Sequence, residues 1–414
     1  MKKSVDDPII KKGSHLFPFL LILAAGLCAY ANSFSVPFIL DDRRTILDEN
    51  FFTRSLCPSW DIFFRRRCLV DISFAINHLL SKEQVWGYHL VNLTTHIAAA
   101  TLLYGIVRRT LSGPTLENRF GNAAKGIALS AALIWTVHPL QSQSVTYISQ
   151  RYELWMGFFY LLTLYTFLRG IQSTHKNRWL AVAVVTCAFG QMTKEVMITA
   201  PIAVLLYDRM FLIPSFIRIF RERGQFYLGL FSTWILSFIA VMIDIPSRNA
   251  AGFSLRGIHP LNYLLTQAEI IAHYLKLSIW PHPLCFDYQW PLAQDPVKII
   301  PSAITVILLL AGTLTAYLKR HPIGYLGIWL ILILAPTSSI FPIADIAVEH
   351  RMYLPLASVI IFVIVTGREV VIDLLRTAKI RNSHRSWIMV GIVSTLTATS
   401  ILITHRRNTD YQSE

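Results

Sequence analysis

Apolar residues along this chain gather into runs about as long as a bilayer is thick, separated by short polar segments. A helix needs about 17 to 25 mostly apolar residues to cross the hydrocarbon. Runs that approach or meet that length lie at 16–35, 90–107, 126–138, 154–168, 179–191, 196–213, 226–243, 298–318, 323–341, 351–366 and 387–404. The pattern predicts an all-α polytopic membrane protein with about eleven transmembrane helices. Composition points the same way: of 414 residues, 54% are hydrophobic and 15% charged, which is not the balance of a soluble globule.

The formal net charge of +14 would suggest a nucleic-acid partner in a soluble protein. Here the basic residues fall in short segments between apolar runs, the bias of cytoplasmic loops, so no nucleic acid is expected. The first run follows Lys2, Lys3, Lys11 and Lys12 and lacks a small-residue cleavage site. It reads as a retained helix with its N-terminus in the cytoplasm. Counting from there places Arg108, Arg109, Arg169, Arg218, Arg221 and the stretch from Arg368 to Arg385 inside, and the C-terminus outside. The run from Leu261 to Trp280 is interrupted by Gln267, Glu269, His273 and Lys276. Were it to cross, every later loop would invert against the charge bias, so it is expected to be an amphipathic or re-entrant helix on the outer face.

That topology leaves outer segments at 35–89, 138–153, 244–297 and 341–351. Asp41 and Asp42 follow the first span directly. A carboxylate at the membrane–water boundary can accept the proton of an attacking hydroxyl; equally, the pair can be a solvated helix end balanced by Arg43 or Arg44. Trp60, Phe63, Phe64 and Arg65 to Arg67 suit an amphipathic helix along headgroups. His89, Asn92 and His96 share one helical face, where hydrogen bonding between helices is expected rather than metal binding. No cofactor is firmly implied, and no ligand pattern supports a divalent metal. His138-Pro139 closes one span, Arg151 and Glu153 open the next, Lys194-Glu195 joins two others as a tight turn with room for a local ion pair, and Glu349, His350 and Arg351 precede another. A single interfacial arginine ordinarily snorkels to headgroups; together, Arg151, Arg351 and Lys194 can form a cationic pocket for phosphate.

Phe38-Ile39-Leu40-Asp41-Asp42 with Asn50 downstream, Gly87-Tyr88-His89-Leu90-Val91-Asn92 through His96, His138-Pro139 with Val145 and Arg151, Lys194-Glu195, Tyr207-Asp208, Trp280-Pro281 and His350-Arg351-Met352-Tyr353-Leu354-Pro355 occur in this order. The series resembles the transmembrane, tetratricopeptide-repeat O-mannosyltransferases and their bacterial relatives. The resemblance implies a C-type (GT-C) glycosyltransferase bundle. It implies transfer of a sugar, mannose by the likeness, from a polyprenyl or dolichyl phosphate to an acceptor hydroxyl, a protein Ser or Thr, on the outer face with inversion. It further implies that Asp41 accepts the proton while Asp42 holds substrate or loop. Arg151, Arg351 and Lys194 would meet the donor phosphate, supported by His89, Asn92, His96, His138, Glu153, Glu195, Glu349, His350 and Tyr353. Membrane lipids surround such a protein, in a bacterial inner membrane or, in a eukaryote, that of the endoplasmic reticulum.

Two departures accompany the resemblance. Gln143, in Ser142-Gln143-Ser144-Val145, stands where the family often has a glutamate. Residues 1–404 are expected to form one transmembrane domain, and 405–414 a short outer tail without the tetratricopeptide repeats that follow in the family, so a separate repeat partner could present the acceptor. The alternatives are a non-catalytic membrane scaffold, to which Gln143 lends weight, and a lipid-glycan transporter.

Overall fold

The computed structural model describes residues 16–47, 67–243 and 259–412. Within them the chain is helical and no strand forms. In order the helices are α1 (Leu16–Tyr30), α2 (Asp41–Ile46), α3 (Cys68–Ser81), α4 (Val85–Leu111), α5 (Glu117–Phe120), α6 (Ala124–Val137), α7 (Ser142–Thr146), α8 (Arg151–Ile171), α9 (Lys176–Gln191), α10 (Ala200–Phe211), α11 (Phe216–Ser232), α12 (Trp234–Ile243), α13 (Pro260–Ile279), α14 (Pro296–Leu318), α15 (Ile323–Leu334), α16 (Pro355–Thr377) and α17 (Asn382–Asn408). The expected headgroup helix at Trp60, Phe63, Phe64, Arg65 and Arg66 lies outside the described residues.

Each of the eleven apolar runs holds a helix. Among the described residues, seven helices are long and apolar enough to cross a membrane: Leu16–Ser35, Val85–Leu111, Glu117–Val137, Ile148–Ile171, Phe216–Ile243, Pro296–Leu318 and Asn382–Tyr411. The helices α9, α10 and α15 are shorter, at 16, 12 and 12 residues, and α16 carries Arg368, Glu369, Asp373 and Arg376 in its second half. The run at 323–341 ceases to be helical at Leu334, earlier than the hydropathy suggests. Pro336 follows two residues later, and a proline disfavours helical geometry in the residue before it.

Helix α13 is not among the seven. Its polar side chains bind the backbone of the irregular stretch between α15 and α16: Gln267 Nε2 donates to the Ile346 carbonyl at 3.1 Å, and Tyr274 Oη both donates to the Val348 carbonyl (2.7 Å) and accepts its N–H (2.9 Å). Irregular backbone at membrane depth needs such partners. Of the interruptions that mark this run, Gln267, together with Tyr274, holds the loop before Glu349.

At the centre α4, α6 and α8 pack closely through small residues. Ala128, Ala131 and Ala132 of α6 are fully buried. A Cβ added at Gly157 of α8 would overlap the Tyr353 ring, so Gly157 is the seat that lets Tyr353 enter the bundle. Close approach of this kind, rather than a hydrophobic drive, is what associates helices in lipid.

Candidate functional site

The residues singled out by sequence converge on one end of the bundle, where the first loop, the turn between α6 and α8, and the loop before α16 meet. Leu40 takes a positive φ of 40°, a backbone state that branched side chains rarely adopt. It turns the chain so that Asp41 and Asp42 diverge at the start of α2. Asp42 points inward with no exposed surface. One of its carboxylate oxygens accepts the Ser149 N–H (2.7 Å) and the Ser149 hydroxyl, and the other accepts the Ile39 N–H (3.2 Å). Burial pushes the Asp42 carboxyl up to about 7, against the pull of these hydrogen bonds. Asp41 is exposed. Its backbone N–H donates to the Tyr147 hydroxyl at 3.0 Å.

The face of α4 carrying His89, Asn92 and His96 reaches the first loop, the turn between α6 and α8, α6 itself and Tyr353 before α16. His89 Nε2 donates to the Val36 carbonyl (2.9 Å), and Asn92 Nδ2 donates to the Val145 and Ile148 carbonyls (3.4 and 3.3 Å). His96 Nε2 donates to the Thr136 carbonyl (2.9 Å), so its Nδ1 accepts from the Tyr353 hydroxyl (3.1 Å). The His96 ring thus has both nitrogens engaged, and hydrogen bonding between elements is the role the geometry gives this face. Bonds of this kind in membrane proteins average about 0.6 kcal/mol, which makes them more effective at fixing register than at adding stability.

Arg151 is fully buried. Its Nε donates to Asn92 Oδ1 (2.9 Å), Nη2 to Asn77 Oδ1 (2.8 Å) and the Tyr88 carbonyl (3.1 Å), and Nη1 to the Ser73 hydroxyl and carbonyl (3.3 and 3.4 Å). The guanidinium also lies over the Phe74 ring at 4.2 Å. All three nitrogens are therefore engaged by neutral acceptors of α3 and α4.

Lys194 and Glu195 are adjacent but do not pair with one another as a local turn would have it. Lys194 Nζ pairs with buried Glu153, while Glu195 receives Arg67 Nη2 on both oxygens at 3.2 and 3.3 Å. Arg351 Nη1 donates to the Ile346 carbonyl (2.9 Å), and its Nη2 to the Asp345 carbonyl. Burial, together with the positive charges of Lys194, Arg351 and Arg67 close by, holds the His350 imidazole well below its usual range.

Gln143 ties the turn to its neighbours. Its Oε1 accepts the His350 backbone N–H (2.8 Å) and His350 Nδ1 (3.1 Å), and its Nε2 donates to the Phe286 carbonyl (2.9 Å). Glu349, with no exposed surface, accepts the Cys285 N–H (2.6 Å) and the Tyr288 hydroxyl (2.8 Å), and burial pushes its carboxyl up to about 6. His138 Nδ1 caps the turn by accepting the Leu140 N–H at 3.2 Å, and burial lowers its imidazole to about 4. The Tyr353 carbonyl accepts from Trp135 Nε1 (3.0 Å) and Gln141 Nε2 (3.2 Å). Among the described residues no three His, Cys, Asp or Glu side chains converge as metal ligands. An apolar cavity of about 110 Å³ lies beside the C-terminal half of α4, lined by Leu103, Tyr207, Tyr325 and Trp329, away from Asp42.

Tyr147, Ser149 and Arg67 were not anticipated as partners of these groups. The available signal was the polar stretch Gln141 to Ser149 between two apolar spans, every residue of which is buried.

A family profile described as dolichyl-phosphate-mannose-protein mannosyltransferase matches residues 70–243. Protein O-mannosyl-transferase Tmtc3 of Drosophila melanogaster is 23% identical, over 97% of this chain and 50% of its own length. The human TMTC3 protein is 23% identical, over 95% and 46%, and Drosophila melanogaster Tmtc2 is 27% identical, over 49% and 22%. The chain thus spans half or less of the length of these relatives. In fold it is similar to the apo oligosaccharyltransferase of Archaeoglobus fulgidus (TM-score 0.50, 13% identity, 97% of this chain and 57% of that one). The same enzyme with an inhibitory peptide and a dolichol-phosphate gives TM-score 0.50 and 14% identity, over 96% and 56%. The chain is thus similar in sequence to protein O-mannosyl-transferases and in fold to an oligosaccharyltransferase.

Proposed function

We propose that this multi-pass membrane protein transfers mannose from a dolichyl- or polyprenyl-phosphate carrier to a protein hydroxyl, at the end of the bundle where Asp41 and Asp42 lie. The observation that carries the reading is the division between the two acids: one exposed beside Tyr147, the other buried and bound on both oxygens. In this account the acceptor hydroxyl passes its proton to the Asp41 carboxylate as its oxygen attacks the anomeric carbon. The bond from that carbon to the phosphate oxygen breaks, the anomeric centre inverts, and the lipid phosphate leaves with the negative charge. Asp42 holds the loop that presents Asp41.

The leaving phosphate needs positive charge placed beforehand. Lys194, paired with buried Glu153, and Arg351, held by the Ile346 and Asp345 carbonyls, are assigned to it. Arg151 is proposed to act through its neighbours, since protein acceptors engage all three of its nitrogens. Glu153 balances Lys194, Glu195 balances Arg67 and Glu349 faces Arg407, while His89, Asn92, His96, His138 and Tyr353 fix the elements that carry the cations. The site is proposed to face the periplasm of a bacterial inner membrane, or the lumen if the chain is eukaryotic, with the N-terminus cytoplasmic. A tetratricopeptide-repeat partner would present the acceptor protein. The test is transfer by the purified protein from a panel of radiolabelled polyprenyl-phosphate sugars to peptide acceptors. Transfer from the mannosyl donor supports the reading, and no transfer from any donor by folded protein removes it.

A further inference from the structure

The final helix does not leave the molecule as a polar tail. It continues past Thr404 to Asn408 and ends in a turn, Thr409–Tyr411, packed against the site. Thr404 donates to the Val137 carbonyl (2.7 Å). The buried Asn408 amide donates to the Ala29 carbonyl and Asn32 Oδ1 (both 3.0 Å) and accepts from the Thr146 hydroxyl (2.8 Å). Arg407 Nη2 stands 3.6 Å from Glu349 Oε2, and its guanidinium lies over the Tyr411 ring at 5.3 Å.

Tyr411 is 1% exposed and shares a buried apolar cluster with Val36, Ile39 and Tyr147. Its ring is 5.4 Å from Phe286, which in turn lies 5.1 Å from Tyr147. Tyr147 is the residue whose hydroxyl meets Asp41. A continuous run of contacts therefore leads from the C-terminal turn to the exposed acid of the first loop.

We infer that Tyr411 is a positioning residue for Asp41, acting through Phe286 and Tyr147. The C-terminal turn thereby sets the geometry of the first loop, and whatever grips that turn also acts on Asp41. The Asn408 and Thr404 bonds are separate from the ring contacts, so loss of the ring frees Tyr147 without detaching α17. The consequence for turnover rests on the sugar-transfer reading; the mechanical coupling does not.

The experiment compares full-length wild type with Tyr411→Ala, Tyr411→Leu and Tyr411→Phe in detergent or nanodiscs. It reads backbone hydrogen exchange over residues 36–47 alongside mannose transfer. With the ring removed, exchange in that segment rises about tenfold. Turnover falls about 10- to 100-fold at unchanged donor KM, and Tyr411→Phe restores both. Tyr411→Leu, which keeps most of the bulk, gives the Ala result even if the Ala variant folds poorly. Unchanged exchange at 36–47 in the Ala and Leu variants overturns the inference, as does a loss confined to donor KM or a loss of equal size in Tyr411→Phe. If wild type transfers no sugar, the sugar-transfer reading fails, and the exchange data alone decide the coupling.

Discussion

The Gln143 side-chain oxygen accepts the backbone N–H of His350 at 2.8 Å, while the nitrogen of the same carboxamide donates to the Phe286 carbonyl at 2.9 Å. A carboxamide accepts on one side and donates on the other, which an ionised carboxylate cannot do. A glutamate here would turn a carboxylate toward a carbonyl oxygen in a buried place.

Gln143→Glu is therefore expected to destabilise the fold by about 1–3 kcal/mol, the usual cost of a buried group left without its partner. Thermal unfolding in detergent measures it. A variant as stable as wild type and faster in transfer would show that position 143 lacks a carboxylate rather than needs an amide.

Arg151→Lys is expected to lower stability, and Arg151→Ala to lower it further, because the acceptors on Asn92, Asn77 and Tyr88 lose a planar five-donor group that an ammonium cannot replace. The donor KM of whatever Arg151→Lys protein folds should match wild type. A donor KM raised tenfold or so at unchanged stability would return Arg151 to the phosphate.

Lys194 and Glu153 offer a double-mutant cycle. Lys194→Met strands a buried carboxylate and should be strongly destabilising, and Glu153→Gln added to it should recover most of the stability. The donor KM should stay high in the double variant, since the charge for the phosphate is still missing. Recovery of both together would make the pair purely structural.

The folded-state Asp42 carboxyl, raised to about 7 by burial, binds its proton more tightly than in the unfolded chain. Its contribution to stability is full below the unfolded carboxylate range and is lost as pH rises through about 7. Buried His138, lowered to about 4, works in the opposite direction, and Glu349 and His350 are shifted as well, so the wild-type profile mixes several groups. The difference between wild type and Asp42→Asn isolates the acid: wild type should lose ground to the variant between about pH 4 and pH 7 and hold level above. A difference that grows in wild type's favour over that window contradicts a buried, weakly acidic Asp42.

Much of the scaffold was readable because apolar length is a direct physical requirement of a bilayer. The α1, α4 and α14 runs show it plainly, and the shared face of His89, Asn92 and His96 follows from helical spacing alone. Adjacency alone does not set which way Asp41 and Asp42 turn; the direction each takes depends on the positive φ at Leu40. Ion pairs were not readable. Glu153 and Lys194 are 41 residues apart, Arg67 and Glu195 128, and nothing local favours these partners over the adjacent Lys194 and Glu195. The packing of the C-terminal residues was not readable for the same reason: His405 to Tyr411 is polar and reads as a short outer tail, and Asn408 and Tyr411 are buried by elements hundreds of residues earlier.

The measurement closest to the central claim is mannose transfer by Asp41→Asn and Asp42→Asn proteins assayed side by side with dolichyl-phosphate binding. The account predicts that Asp41→Asn abolishes turnover while the donor still binds, and that Asp42→Asn keeps a reduced but measurable rate. Full activity in Asp41→Asn, or equal rates in the two variants, would contradict it.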